Sequence, residues 1–428
     1  MSTIKELNEF IKKSISPFHT ACAAADEFRQ SGFEELISGE KWNVKCGGKY
    51  FVKIYESSIA AFTIGENGIE TGKLRIAAAH TDFPCFKIKP SASIMENGYH
   101  KLNTEVYGGA ILNTWLDRPL SIAGRAAVRG KDCFSSESVM VDFAKPVLVI
   151  PNVAIHMNKS VNKGIELNSQ KDMLPLADSI IKENMEKADL EERISELLHI
   201  PKKSILDYEL YIYQYEQGEV TGFDNTLFSA PRLDNLTSVK ACIDGITDAD
   251  VRKEGINAVV FFDNEEVGSR TKQGAASNIF PMMLEKLYLS LGKSREDYIN
   301  AVINGSIVSV DVAHALHPDS PEKNDITNKP VLNGGTVIKL AAGQTYANDA
   351  QSSALIRCLA EKSETKCQTF VNRSDMAGGS TLGAILSSVL PMRTIDIGIP
   401  LLAMHSAREL MGVNDQESLK KLLTCYFT

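Results

Sequence analysis

The feature that most constrains this chain is an alternation of strands and helices that is interrupted once and then resumes. Residues 74–79 read LRIAAA, an almost wholly apolar run of the kind found in strands buried on both faces. The same signature returns late in the chain, in NAVVFFD (257–263), SIVSVDVA (306–313) and RTIDIGIP (393–400). Helical segments separate these runs, at LTSVKACIDGI (236–246), 278–291 and 350–363. Strands alternating with helices predict a mostly parallel sheet covered on both faces. Ahead of it, residues 1–40 read as helices and residues 50–64 as a hairpin.

The middle of the chain is different. Residues 90–215 carry short alternating segments, ILNTW, LSIAGRAAV, VLVIPNVAI and YELYIYQY, separated by Gly, Pro and Asn. The charged stretch 176–199 reads as a solvated helix within them. The simplest account is one α/β domain, residues 1–90 and 231–428, interrupted by an inserted mostly β domain, residues 91–230. A chain of 428 residues accommodates this as a large domain with an insertion and buries a core without staples.

Composition excludes several function classes. Lys and Arg total 46 against 54 Asp and Glu, a net charge of −8, so the basic footprint of a nucleic-acid or anionic-membrane binder is missing. No run of 18 apolar residues predicts a membrane-spanning helix, and the amphipathic start MSTIKELNEFIKKSIS lacks the apolar stretch of a signal peptide. The eight cysteines form no CxxC pair and read as reduced thiols of a cytoplasmic protein. HExxH, GxSxG and GxxxxGK[ST] motifs are all absent.

In open α/β sheets, ligands bind beyond the carboxyl ends of the strands. Those ends carry His80 and Asp82 after LRIAAA, Asp263, Glu265 and Glu266 after VVFF, Asp311 in IVSVDV, and His405 at the start of an expected helix after TIDIGIP. Asp234, in PRLDN, leads into the helix after the β block. Any one of them has a bland explanation, such as a structural histidine, a helix cap or a solvated Glu pair. Five separate element ends offering mixed His and carboxylate donors point instead to divalent metal ions, zinc or its relatives. Five ligands with one shared carboxylate suit two ions, and a tandem Glu pair divides labour between ligand and proton acceptor. Asp82 is placed to orient His80, or is simply a turn residue before Pro84. GGSTLG at 378–383 follows no convincing strand and reads equally as a pocket-lining turn or a plain loop.

At these residues the chain resembles the aspartyl aminopeptidases, a family of cytosolic zinc aminopeptidases. The resemblance runs over almost the whole length, through SPFHTACAAADEF, AAAHTDFPCFKIKP, GGAILNTWLDRPLSIAGR, PNVAIHMN, PRLDN, FFDNEEVGSRTKQGA, SVDVAHALHP, GGSTLG and AMHSARE. It implies that His80 and Asp311 hold one zinc, Glu266 and His405 the other, and that Asp234 bridges them. It implies Glu265 as general base and Asp82 as the residue orienting His80. By resemblance alone, His156 reaches a neighbouring subunit's site to stabilise the oxyanion, although His156 as a metal ligand is the alternative. His314 is implied to touch substrate, with His317 structural, and Lys339 to line the pocket for an acidic first side chain.

The family further implies peptide substrates with a free N-terminus. It implies dimers made through the inserted domain, and a dodecamer built from them. Two divalent ions are expected, zinc with cobalt and manganese as alternatives. The segment RSDMAGGSTLG (373–383) departs from the CGTTIG-like version of some relatives, which leaves a neutral or basic preference open. Two rival readings remain: a binuclear N-acyl amino-acid deacylase or carboxypeptidase on the same scaffold, and an inactive self-assembling scaffold protein.

Overall fold

The computed structural model describes residues 2–69, 73–164, 166–179, 189–376 and 378–428. The chain divides into two compact units. The first comprises Met1–Asp82, Gly218–Met404 and Glu409–Thr428, and the second Phe83–Gln217 with His405–Arg408.

The first unit is an α/β fold around a nine-stranded sheet. Its order is Glu34–Leu36, Lys49–Ile54, Ser58–Ile64, Ile256–Phe262, Leu74–His80, Ser306–Val310, Arg393–Gly398, Thr336–Leu340 and Cys367–Val371. The four strands from Ile256–Phe262 to Arg393–Gly398 run parallel. Val259 lies opposite Ala77, and Val308 lies opposite both Ala77 and Ile395. Small alanines in Leu74–His80 let helices pack closely on both faces of the central strand. One face is covered by the helices Ser2–Lys13, Pro17–Gln30, Leu233–Asp248 and Val413–Phe427, through Leu7, Phe28, Val239 and Leu419. The other is covered by Ile279–Ser290, Arg295–Asn304 and Leu382–Val389, through Phe280, Leu284 and Leu386. Sequence patterning anticipated these layers, because a strand with two apolar faces needs a cover on each.

A five-stranded sheet in the same unit joins Glu219–Thr221, Leu227–Ala230, Glu409–Gly412, Pro400–Leu402 and Ala313–His314. It corrects one expectation. The stretch LLAMHSAREL is not a helix. Leu401 and Leu402 pair antiparallel with Met411 and Leu410, and Ala403 and His405 take left-handed backbone angles, φ 55° and 67°, that end any helical run.

The second unit is a six-stranded antiparallel sheet ordered Glu137–Asp142, Leu120–Val128, Ile205–Gln214, Cys85–Glu96, Tyr99–Tyr107 and Leu176–Ser179. The expected boundary after residue 90 falls inside the strand Cys85–Glu96. The expected boundary after residue 230 falls after two strands of the first unit's smaller sheet. ILNTW forms a single 3-10 turn at Leu112–Trp115, and VLVIPNVAI makes only isolated bridges at Leu148 and Val149. Of the helix expected over 176–199, Leu190–Leu198 is helical and Leu176–Ser179 is a strand, while 180–188 lies outside the described residues.

Candidate metal centre

His80 is the last residue of its strand and is 1% exposed. Around its ring lie Asp82 and Asp234, both buried, and Asp311, which follows the strand Ser306–Val310. Nε2 of His80 is 3.5 Å from Oδ1 of Asp234 and 3.6 Å from Oδ1 of Asp311. Its Nδ1 lies 3.0 Å from the Asp82 carbonyl and 3.4 Å from the Asp82 carboxylate. Donation from Nδ1 to that carbonyl leaves Nε2 as the nitrogen facing Asp234 and Asp311, protonated in the imidazolium and able to offer a metal its lone pair once that proton leaves.

Asp234 owes its place to backbone ties. Arg232 before it is left-handed, φ 59°, and Asp234 itself is non-helical at φ −77°, ψ 108°. Its N–H donates to Glu409 at 3.0 Å, and the Asn235 amide donates to the Val310 carbonyl at 2.9 Å. The peptide bond between Asp234 and Asn235 is cis.

The tandem glutamates sit in a turn that other polar groups shape. Asn264 is left-handed, φ 64°, its N–H donates to Asp263 Oδ1 at 2.7 Å, and its side-chain oxygen accepts from Thr271 at 2.9 Å. Asp82 then accepts the Glu265 N–H on one carboxylate oxygen and the Glu266 N–H on the other, each at 3.1 Å. His80 and the two glutamates offer ligand atoms within 4.8 Å of one another, as do His80, Asp234 and Asp311.

Charge confirms how unusual this cluster is. Burial alone disfavours a charged His80, yet Asp234, Asp311 and Asp82 outweigh it and hold the imidazolium well above its ordinary pKa. Burial, with Asp311, Asp82 and Asp234 nearby, pushes the Glu265 carboxyl up to about 8 against the lowering pull of His80. Asp263 is pushed to about 7 by burial and by Asp82. Burial works against the charge on Asp311 too, but Lys339 and His80 hold its carboxyl below the ordinary range. An imidazole among so many carboxylates fits divalent metal, because the donor set is the mixed N and O set of zinc and its relatives.

The remaining expected residues are placed as follows. Lys339, 3% exposed, bonds Asp311 and the Val312 carbonyl. His314 is exposed, three residues past Asp311, with its ring 5.7 Å from that of Phe370. In the second unit, His405 lies 3.2 Å from the Gly109 carbonyl, and His156 is exposed in a loop with Val153, Ile155 and Met157. Sequence reading singled out none of the groups that shape the centre, Asn264, Thr271 and Glu409. The Asn264 signal was there to be read, since Asn before a Glu pair at a strand end is a residue that tolerates left-handed backbone.

A family model described as Aminopeptidase I zinc metalloprotease (M18) matches residues 10–427. A relative from Clostridium novyi (strain NT), named Probable M18 family aminopeptidase 2, is 47% identical over 412 residues, 96% of this chain and 95% of its own. Among solved structures, one chain of the Ape4 and Nbr1 complex superposes with a TM-score of 0.94 at 32% identity, over 100% of this chain and 85% of that one. The S. cerevisiae mApe1 dodecamer matches with a TM-score of 0.84 at 26% identity, over 99% of this chain and 95% of that one. The chain belongs to the M18 family and is a metallo-aminopeptidase.

Proposed function

We propose that this enzyme removes the first residue, preferentially Asp or Glu, from peptides with a free amino terminus, using water held at two divalent metal ions. The observation that carries the reading is His80 with Asp234 and Asp311 at 3.5 and 3.6 Å, beside the buried carboxyl of Glu265. His80 and Asp311 would hold one ion, Glu266 and His405 the other, and Asp234 would bridge. His405 is assigned on the family's AMHSARE segment (403–409), which follows the strand Arg393–Gly398 in the chain. Bound ions of this kind lower the pKa of a shared water and polarise the scissile carbonyl. Zinc is the metal named for the family, with cobalt and manganese compatible with the same donors.

Glu265 takes the proton of the attacking water and returns it to the departing amine. Asp82 keeps the Glu265 and Glu266 backbone fixed while this happens. His314 contacts the substrate. His156, from a neighbouring subunit, donates to the tetrahedral oxyanion. Exposed Val153, Ile155 and Met157 beside it support a subunit contact, since clustered surface apolar groups mark interaction sites. Dimers made through the second unit, building to a dodecamer, are the assembly this predicts. A cytoplasmic setting agrees with eight free cysteines. No described helix is long and apolar enough to cross a membrane.

The test is a rate panel on metal-loaded protein with Asp-, Glu-, Leu- and Lys-amides, free and N-acetylated, with and without chelator. Chelator-sensitive release from free-amine Asp and Glu substrates is expected. Release from Leu or Lys instead removes the acidic preference, and cleavage of only the acetylated compounds makes the enzyme a deacylase.

A further inference from the structure

Where three neighbouring parallel strands begin, the chain sets cations side by side. Ser306, first in its strand, lies opposite Arg75 in Leu74–His80 and opposite Arg393 in Arg393–Gly398. Residues in register on parallel strands share a face, so the two arginines leave the sheet on one side, about 10 Å apart. With Lys73, just before the first strand, and Lys362, at the end of the helix Ala350–Lys362, they line a cavity of about 270 Å³. Arg252 stands beside it and donates to the Lys73 carbonyl at 2.8 Å. Among the described residues no Asp or Glu lines the cavity, and none of these five cations is in an ion pair. Asp349 feels the charge of Arg393 from outside the lining, and Thr428, the last residue of the sequence, forms part of the wall.

The cations are short of counter-charge. Burial and then the Arg75 guanidinium push Arg252 down to about 10, and what opposes them is the Tyr426 phenol, not a carboxylate. A chain of net charge −8 has acids to spare for pairing, yet places none in this wall. The strand Leu74–His80 starts here and ends at His80, so about 20 Å of strand separates the cavity from the metal centre. We propose that this cavity is a second binding site, for a phosphate group, free or carried on a small ester. Four cations converging on one space suit a dianion better than a single carboxylate, and the arginine fork matches two phosphate oxygens at once. The volume equals about nine waters at roughly 30 Å³ each, enough for phosphate and a short ester body.

The experiment is calorimetric titration of the metal-loaded enzyme with inorganic phosphate, glycerol 3-phosphate and acetate at fixed ionic strength, on wild type and K362Q/R393Q. Both substituted side chains are exposed and distant from the metal centre. Wild type should bind both phosphates saturably and more tightly than acetate, and the double variant should bind them at least about tenfold more weakly. Tighter binding of the ester supports an esterified ligand, and tighter binding of inorganic phosphate supports the free ion. Equal phosphate binding by wild type and K362Q/R393Q puts the anion at the metal ions and overturns the proposal. Acetate bound as tightly as phosphate, or no saturable binding, overturns it too, leaving the cations balanced by solvent and their own neighbours. Should the double variant not fold, K362Q alone decides by the same comparison, weakened binding supporting the site and unchanged binding overturning it.

Discussion

The Asp82 carboxylate receives the backbone N–H of Glu265 at 3.1 Å, and its second oxygen receives that of Glu266 at the same distance. One buried side chain thus fixes the two consecutive residues assigned to opposite halves of the chemistry. Asparagine in its place has a single acceptor oxygen, so one of the two N–H groups loses its partner. Leaving a buried donor unpaired costs about 1–3 kcal/mol. D82N is expected to fold, to lose kcat by about 10–100-fold, and to bind zinc more weakly. Steady-state rates and metal content of the purified variant check this; an unchanged kcat would show that the turn holds without Asp82.

Glu265→Gln keeps size and removes the carboxylate proposed as proton acceptor. A positioned base contributes about 10²–10⁴-fold, so kcat should fall by that factor while zinc content stays at the wild-type level. Parallel loss of zinc would instead make Glu265 a ligand.

Metal-free protein should lose stability as pH rises from about 5 to 8. Asp396, Asp263 and Glu265 are raised in the fold to about 6, 7 and 8, chiefly by burial. The unfolded chain releases the same protons near pH 4. Across the window between, the folded state holds more protons than the unfolded state, so raising pH favours unfolding. His80, also raised, adds in the same direction: its contribution is complete below about pH 6.5 and is lost as pH climbs through its folded pKa. Asp311 is lowered, so its opposite contribution is lost only as pH falls below about 4, outside the window. Zinc favours the deprotonated groups, so the Tm gained on adding it should be larger at pH 8 than at pH 6. Thermal scans with and without chelator at both pH values test this, and a metal-free Tm that rises with pH contradicts it.

Gly398→Ala places a methyl group 1.8 Å from the Asp311 carbonyl. Overpacking of this kind typically costs about 1–3 kcal/mol. The strain falls on Asp311, the residue proposed to offer a metal oxygen, so the variant should lose both thermal stability and zinc affinity. Lost stability with intact zinc binding would show that Asp311 is held by its side chain alone.

Much of the centre was legible because burial and chemistry disagree at strand ends. An apolar run such as LRIAAA that stops at His80 marks where a sheet meets solvent or ligand, and the same logic found Glu265, Glu266 and Asp311. The segment around His405 was misread because LLAMHSAREL spaces its apolar residues at a helical period. What decides it is a pairing of Leu401 with Met411, contributed by the chain on either side, which no local pattern reports. The partner of Lys339 was hidden for a similar reason: residues 311 and 339 become neighbours only through the strand order, with Arg393–Gly398 inserted between them.

The cluster gathers residues that are far apart in synthesis order. His80 leaves the ribosome long before Asp311, and Phe83–Gln217 of the second unit is made before Asp234. At a synthesis rate of about 5–20 residues per second, the interval between His80 and Asp311 is roughly ten to fifty seconds. For the first part of that time His80 has only Asp82 beside it; Asp234, Glu265 and Glu266 are added within the interval, Asp311 closes it, and His405 comes later still. The full ligand set proposed here, which ends with His405, is therefore complete only when synthesis is nearly over.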